Sequence, residues 1–176
     1  MKKLVLLVCV FVLLIVATGA VSAGKPAPDQ FTITGYTTQF ETEVLPSGLT
    51  KFQATASGTV TSESEDGFDG ATFTFEEWGI GSLDPVTWEA RGTNHGIMTI
   101  TKGCDDEVDI CGEVVIRFDG QADLFNVWGN YRILQGSGQY AGLRGEGTYL
   151  GITDNPFDNP DEGFYVDFSG KFHSQP

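Results

Sequence analysis

Apolar and polar residues alternate along most of the chain in short runs, with a period of two residues. Phe52, Ala54, Ala56, Gly58 and Val60 fall on one face of such a run, and Val114, Ile116 and Phe118 on one face of another. Phe125, Val127, Tyr131 and Ile133 repeat the pattern, as do Phe164, Val166, Phe168 and Phe172. Period two is the signature of a strand with one buried and one wet face. The runs are rich in Thr, Val, Ile, Phe and Tyr, and clusters of Gly, Asp, Asn and Pro separate them. They predict strands over 30–40, 49–61, 70–78, 85–91, 94–102, 112–119, 124–135, 143–152 and 163–173. No stretch holds a helical period, and no linker divides the series.

Strands with one wet face belong to antiparallel sheets. Many of them in one domain must close on themselves or pack as a sandwich, because open edges invite aggregation. Small residues such as Ala54, Ala56 and Gly58 among aromatic ones suit the taper of a small barrel. The expected fold is therefore all-β, a single closed antiparallel β-barrel of about eight strands over residues 30–176, with the sandwich as the other solution.

The first residues depart from this rhythm. Lys2 and Lys3, the apolar run Leu4 to Ala17 and the small residues Val21-Ser22-Ala23 have the three-part form of an export signal. Residues 1–23 are read as a signal peptide and 24–29 as a short lead-in. An uncleaved anchor is the alternative, since Leu4 to Ala23 nearly spans a bilayer, but the small-residue ending favours processing. The expected location is secreted or periplasmic, with no membrane attachment after cleavage.

Charge narrows the partners. The chain has 24 acidic and 10 basic residues, a formal net charge of −14. Nucleic acid is excluded as a partner, because binding it needs a basic face that displaces counterions. Anionic lipid is disfavoured for the same reason. Cys104 and Cys111 are the two cysteines outside the leader, and an even pair at short spacing in an exported chain reads as a disulfide. The C-x-x-C spacing of a redox centre is missing.

The most distinctive stretch is Leu134-Gln-Gly-Ser-Gly-Gln-Tyr-Ala-Gly-Leu-Arg-Gly-Glu-Gly-Thr-Tyr149. Gly136 and Gly138 mark a turn between strands, and Gly142 allows a second bend. Gly145, Gly147 and Gly151 alternate with larger residues and leave space above the sheet for a neighbouring ring or a ligand. The segment resembles the G-S-G-x-(F/Y/L)-A-G-L-R-G signature of the superfamily that contains allene oxide cyclases, dirigent proteins and several bacterial families. That resemblance implies an eight-stranded antiparallel barrel with a central apolar cavity. It transfers no catalytic set, because the family's scattered polar residues have no residue-by-residue match here.

Familiar catalytic patterns are missing. His95 and His173 lack neighbours that suggest a triad or a zinc site, and Gly136-Ser137-Gly138 is not a nucleophile elbow. His95 lies beside an expected turn. Arg117, Arg132 and Arg144 fall on the face opposite the apolar alternation, where cross-strand ion pairs with Glu113, Glu146 or Asp167 are the plainer reading and an anion site the alternative. Asp154, Asp158 and Asp161 crowd one loop whose spacing does not fit an EF-hand, so they are weak metal candidates beside ordinary Asx turns. Trp78 and Trp88 bracket a connection that could rim a cavity.

The functional expectation is a barrel that binds a small apolar or amphipathic molecule, with Trp128, Tyr131, Arg144, Tyr149 and Tyr165 as candidate pocket residues. The alternatives are a cyclase- or dirigent-type enzyme, with Arg144, Glu146 and Asp167 as candidate catalytic groups, and a filled structural barrel working through its acidic loops. No cofactor signature is present, and no feature sets an oligomeric state.

Overall fold

The computed structural model describes residues 29–62, 67–83, 90–104, 111–123, 125–152 and 163–174. Among them lie eight strands: β1 (Asp29–Val44), β2 (Thr50–Ser62), β3 (Thr72–Leu83), β4 (Ala90–Lys102), β5 (Gly112–Asp123), β6 (Asn126–Gly136), β7 (Leu143–Ile152) and β8 (Phe164–Ser174). A single 3-10 turn, Gly138–Tyr140, precedes β7. Each strand pairs antiparallel with the next in sequence, and β1 pairs antiparallel with β8. The pairings thus run round a ring, in which neither β1 nor β8 is left as a free edge.

The alternation seen in the sequence sorts the side chains. Phe31 and Ile33 of β1, Ala54, Ala56 and Val60 of β2, and Val114, Ile116 and Phe118 of β5 are all buried on the inner face. Full burial of each large apolar side chain stabilises the fold by about 1.5–3 kcal/mol. Two irregularities reset the alternation. Thr38 is an extra residue between the pairs Thr37↔Ala56 and Gln39↔Thr55, so Phe40, opposite Ala54, turns to the same face as Ile33. Leu134 is a second extra residue, between Ile116↔Ile133 and Val115↔Gln135. Bulges of this kind bend a strand and raise its twist, as a sheet that returns on itself requires.

The two ends of the ring are filled differently. At one end Phe68, from the β2–β3 connection, folds inward and packs edge-on against Phe31 with ring centroids 5.3 Å apart. Phe172, Tyr131 and Tyr140 complete this plug, and the Tyr140 hydroxyl donates to the Gly67 carbonyl at 2.9 Å. Gly138 (φ 61°) and Gly142 (φ 79°) give the tight path that brings Tyr140 back over the end. The Cys104–Cys111 disulfide, with Cα atoms 5.1 Å apart, closes the β4–β5 connection at the same end. The Cys111 carbonyl accepts a hydrogen bond from the Gln139 backbone N–H at 2.9 Å, which ties the bridge to the 3-10 turn.

Some expected elements are placed differently. Ala90–Lys102 is one continuous strand, so the two runs predicted over 85–91 and 94–102 merge where they are described, and residues 84–89 lie outside the described residues. His95 therefore sits within β4 and not beside a turn, opposite Trp78 on β3 and Asp119 on β5. Phe125 precedes β6 and is exposed, so it does not share the inner face of Val127, Tyr131 and Ile133. The leader and most of the lead-in, residues 1–28, lie outside the described residues.

Candidate functional site

The other end of the ring holds a cavity of about 460 Å³ that opens to solvent. Its walls come from the strand halves nearest the β1–β2, β3–β4 and β5–β6 connections and from the start of β8. Ile33, Phe52, Phe75, Met98, Phe118 and Val166 are among the residues of a largely apolar lining. Pockets of this size, apolar with a few placed polar groups, are the usual form of small-molecule sites.

Three polar groups meet inside that lining. Glu77 takes the inward position on β3 after Phe73 and Phe75. The buried Asn94 of β4 donates its Nδ2 hydrogen to Glu77 Oε1 at 2.7 Å, and its Oδ1 accepts from the Tyr149 hydroxyl at 3.1 Å. With Glu77 ionised the two bonds fix which way the Asn94 amide points, because a carboxylate only accepts and so takes the nitrogen, leaving the oxygen to accept from the phenol.

Glycines clear the way for this chain of bonds. Asn94 is register partner of Gly120, Gly120 of Gly129, and Gly129 of Tyr149. Tyr149 lies over that pair of glycines, and a Cβ added at Gly129 would stand 2.7 Å from the phenol oxygen. Two strands without side chains on the inner face thus let a β7 ring reach a β4 amide.

Burial pushes the Glu77 carboxyl up to about 7, with the Asn94 hydrogen bond pulling the other way. Burial also raises the Tyr149 phenol above its ordinary value, helped by the charges of Glu77 and Asp119 and opposed by the Asn94 bond. Near neutral pH the cavity therefore holds a carboxyl poised between its two protonation states.

At the rim stand Arg91 and Asp123, which are register partners. Burial by itself would raise the Asp123 carboxyl, but it is held below its ordinary value by the backbone N–H groups of Phe125 and Asn126, the Asn126 side chain and the Arg91 charge.

Of the residues singled out in the sequence, Tyr149 lines the cavity. Tyr131 also points inward but belongs to the plugged end, packed against Phe31 and Phe168. Trp128 and Tyr165 are exposed on the outer face, and so is Trp78. Arg144, Glu146 and Asp167 alternate with inward residues and also face outward. Arg144 donates to the Leu143 carbonyl, Asp167 accepts from Thr32 Oγ1 at 2.6 Å, and Glu146 is register partner of Arg132 and Lys171. Trp128, Tyr165, Arg144, Glu146 and Asp167 therefore do not meet in the interior. Parity on the strands is the reason: Trp128 and Tyr131 are three residues apart on β6, and Arg144 and Glu146 stand five and three residues from Tyr149 on β7.

The outer face has its own ion cluster. Arg117 Nε lies 3.0 Å from Asp119 Oδ2, and His95 Nδ1 lies 2.8 Å from Asp119 Oδ1. The Arg117 hydrogen bond holds the Asp119 carboxyl below its ordinary value. Arg117 is also register partner of Arg132, whereas Arg144 pairs with His173 away from both. Exposed pairs of this kind contribute little to stability. Asp154, Asp158, Asp161 and Trp88 lie outside the described residues, and among those described no group of three or more His, Cys, Asp or Glu could hold a metal ion.

Glu77 and Asn94 were not singled out by sequence reasoning. The signal for Glu77 was present, since an acid follows Phe73 and Phe75 at the same parity. Asn94 carries no such mark, because its role depends on a register that joins four strands. Compared with known proteins, the chain matches no protein-family model and no curated sequence.

Proposed function

We propose that the protein is an exported, closed β-barrel container that takes one small apolar or amphipathic molecule into its hollow end. The observation that carries this reading is the 460 Å³, largely apolar cavity with the hydrogen-bonded chain Glu77–Asn94–Tyr149 in its wall. A barrel filled only by its own side chains would spend that volume on packing, as the plugged end does around Phe68. The Gly136–Gly145 segment supports the barrel through its resemblance to the allene oxide cyclase and dirigent superfamily. The Cys104–Cys111 bridge suits an oxidising, extracytoplasmic setting and so supports export.

The test is titration with N-phenyl-1-naphthylamine, an uncharged apolar dye that brightens when it leaves water. The dye brightens and saturates with the wild-type chain, and Ala54→Trp, which fills the cavity from β2, abolishes the signal. An equal response from Ala54→Trp would place the dye elsewhere and remove the reading.

One observation favours a second reading. A carboxyl near neutrality, linked through an amide to a phenol, suits general acid–base catalysis on a bound intermediate. An enzyme of the cyclase or dirigent type would then use Glu77 and not the outward Arg144, Glu146 or Asp167. Turnover of a bound substrate would be lost in Glu77→Gln and kept in alanine variants of those three.

A further inference from the structure

We propose that the hollow end is a receptor for an organic ammonium, a molecule whose protonated amine sits against Glu77 while its apolar body fills the cavity. This rests on the reading that the cavity holds a small ligand, and it adds the chemical class of that ligand.

The first support is the placement of charge. Two carboxyls line the cavity, and that of Asp123 is already occupied by the N–H groups that follow it. Glu77 lies deeper and, among the described residues, takes part in no salt bridge. Its opposite neighbour on β2 is Ala54, and on β4 it is flanked by Gly96 and Asn94. Tyr149 approaches through Asn94, Arg91 and Asp123 stay at the rim, and His95 is bonded to Asp119 on the outer face. A carboxyl in that position is uncompensated when ionised, and a cationic ligand is the partner it lacks.

The second support is the wall around it. Phe52, Phe75, Phe118, Tyr149 and Phe164 all line the cavity. Aromatic faces attract a cation through the ring quadrupole, most strongly where water is excluded. An aromatic wall around the Glu77 carboxylate is complementary to an alkyl- or arylalkylammonium, whereas a fatty acid would set a second anion beside Glu77.

The third support is the field outside. With 24 acidic residues against 10 basic ones, the chain draws cations toward its surface and repels anions.

The pH dependence follows from the same carboxyl. Glu77 must be ionised to pair with an ammonium, and its proton leaves near pH 7 in the empty protein. An alkylammonium keeps its own proton through this range. Amine affinity therefore rises about tenfold between pH 6 and pH 8, and binding releases a proton.

The experiment is calorimetric titration of the full chain with decylamine, decanol and decanoate, each below its micellar concentration, at pH 6 and pH 8. Glu77→Gln is titrated alongside. It preserves the acceptor for Asn94, and its binding of decanol reports that it is folded. Decylamine should bind roughly ten times tighter than decanol at pH 8, with decanoate weakest. Glu77→Gln should lose both the amine preference and its pH dependence while still binding decanol. Decanol or decanoate equalling decylamine would overturn the proposal. So would an amine preference that survives Glu77→Gln, which would locate it on the acidic exterior. Silence from all three compounds would overturn the container reading itself, and this inference with it.

Discussion

Replacing Glu77 by Gln should stabilise the protein at alkaline pH and leave it almost unchanged in mild acid. The carboxyl titrates near 7 in the folded state, against an ordinary value of 4.5. Between those values the native state holds a proton that the unfolded chain has released, so stability falls as pH rises through the window. The loss is complete above the folded value, and the gap between the two values corresponds to a destabilisation on the order of 3 kcal/mol. A glutamine side chain cannot ionise, and its carbonyl can still accept from Asn94 Nδ2, so the variant avoids that cost without opening a cavity. Asp119 and Asp123 have depressed values, so their contributions are present above the ordinary carboxylate range and fade only as pH falls below it. They are common to both proteins and cancel in the difference. Urea unfolding at pH 5 and pH 8, followed by tryptophan fluorescence, measures the effect. The two proteins should differ by under about 1 kcal/mol at pH 5, and the variant should be more stable by about 3 kcal/mol at pH 8. Parallel pH profiles, or a variant less stable at pH 8, would refute the burial of an uncompensated carboxyl.

Other consequences concern the plugged end and the outer face. Replacing Cys104 and Cys111 by Ser should cost about 2–3 kcal/mol in urea unfolding, the value for releasing so short a loop. Phe68→Ala should cost about 3–5 kcal/mol in the same assay, because the ring is fully buried among Phe31, Tyr140 and Phe172. Alanine at Trp128, Arg144 or Tyr165 should leave dye binding within about twofold of wild type, since all three face outward and exposed substitutions change little.

Much of the architecture was legible because period two states directly which residues share a face. The inner sets on β2, β5 and β8 and the antiparallel pairing could be read that way, and the Cys104–Cys111 bridge from an even cysteine pair at short spacing. Ring packing against the glycines of the Gly-rich stretch was also readable: a Cβ at Gly145 would lie 2.6 Å from the Phe172 ring. What escaped depends on facts that alternation does not carry. β7 carries Leu143 and Tyr149 on one face and Leu150 and Ile152 on the other, with glycines at the remaining inner positions, so its apolar residues mark the inner face only weakly. The bulge at Thr38 changes the parity of β1 midway and brings in Phe40. Gly92-Thr93-Asn94-His95-Gly96 has the composition of a turn, yet Gly92 and Gly96 leave room for close strands and, at Gly96, for the Phe118 ring. Phe68 belongs to a connection, where an apolar residue reads as exposed until the ring of strands gives it somewhere to go. Glu77 was hidden by its surroundings, because one more acid in so acidic a chain reads as solvated.

The central claim is that one end of the ring of strands is hollow and takes an apolar guest. Methyl-labelled protein titrated with decanol and followed by two-dimensional nuclear magnetic resonance tests it most directly. The methyl signals of Ile33, Met98, Val127 and Val166, which line the cavity, should shift and saturate together. Those of Val60, Ile100, Val114 and Ile133, which are buried outside the cavity lining, should stay in place. Shifts confined to Leu150 and Ile152 on the outer face, or no saturable shifts, would contradict the account.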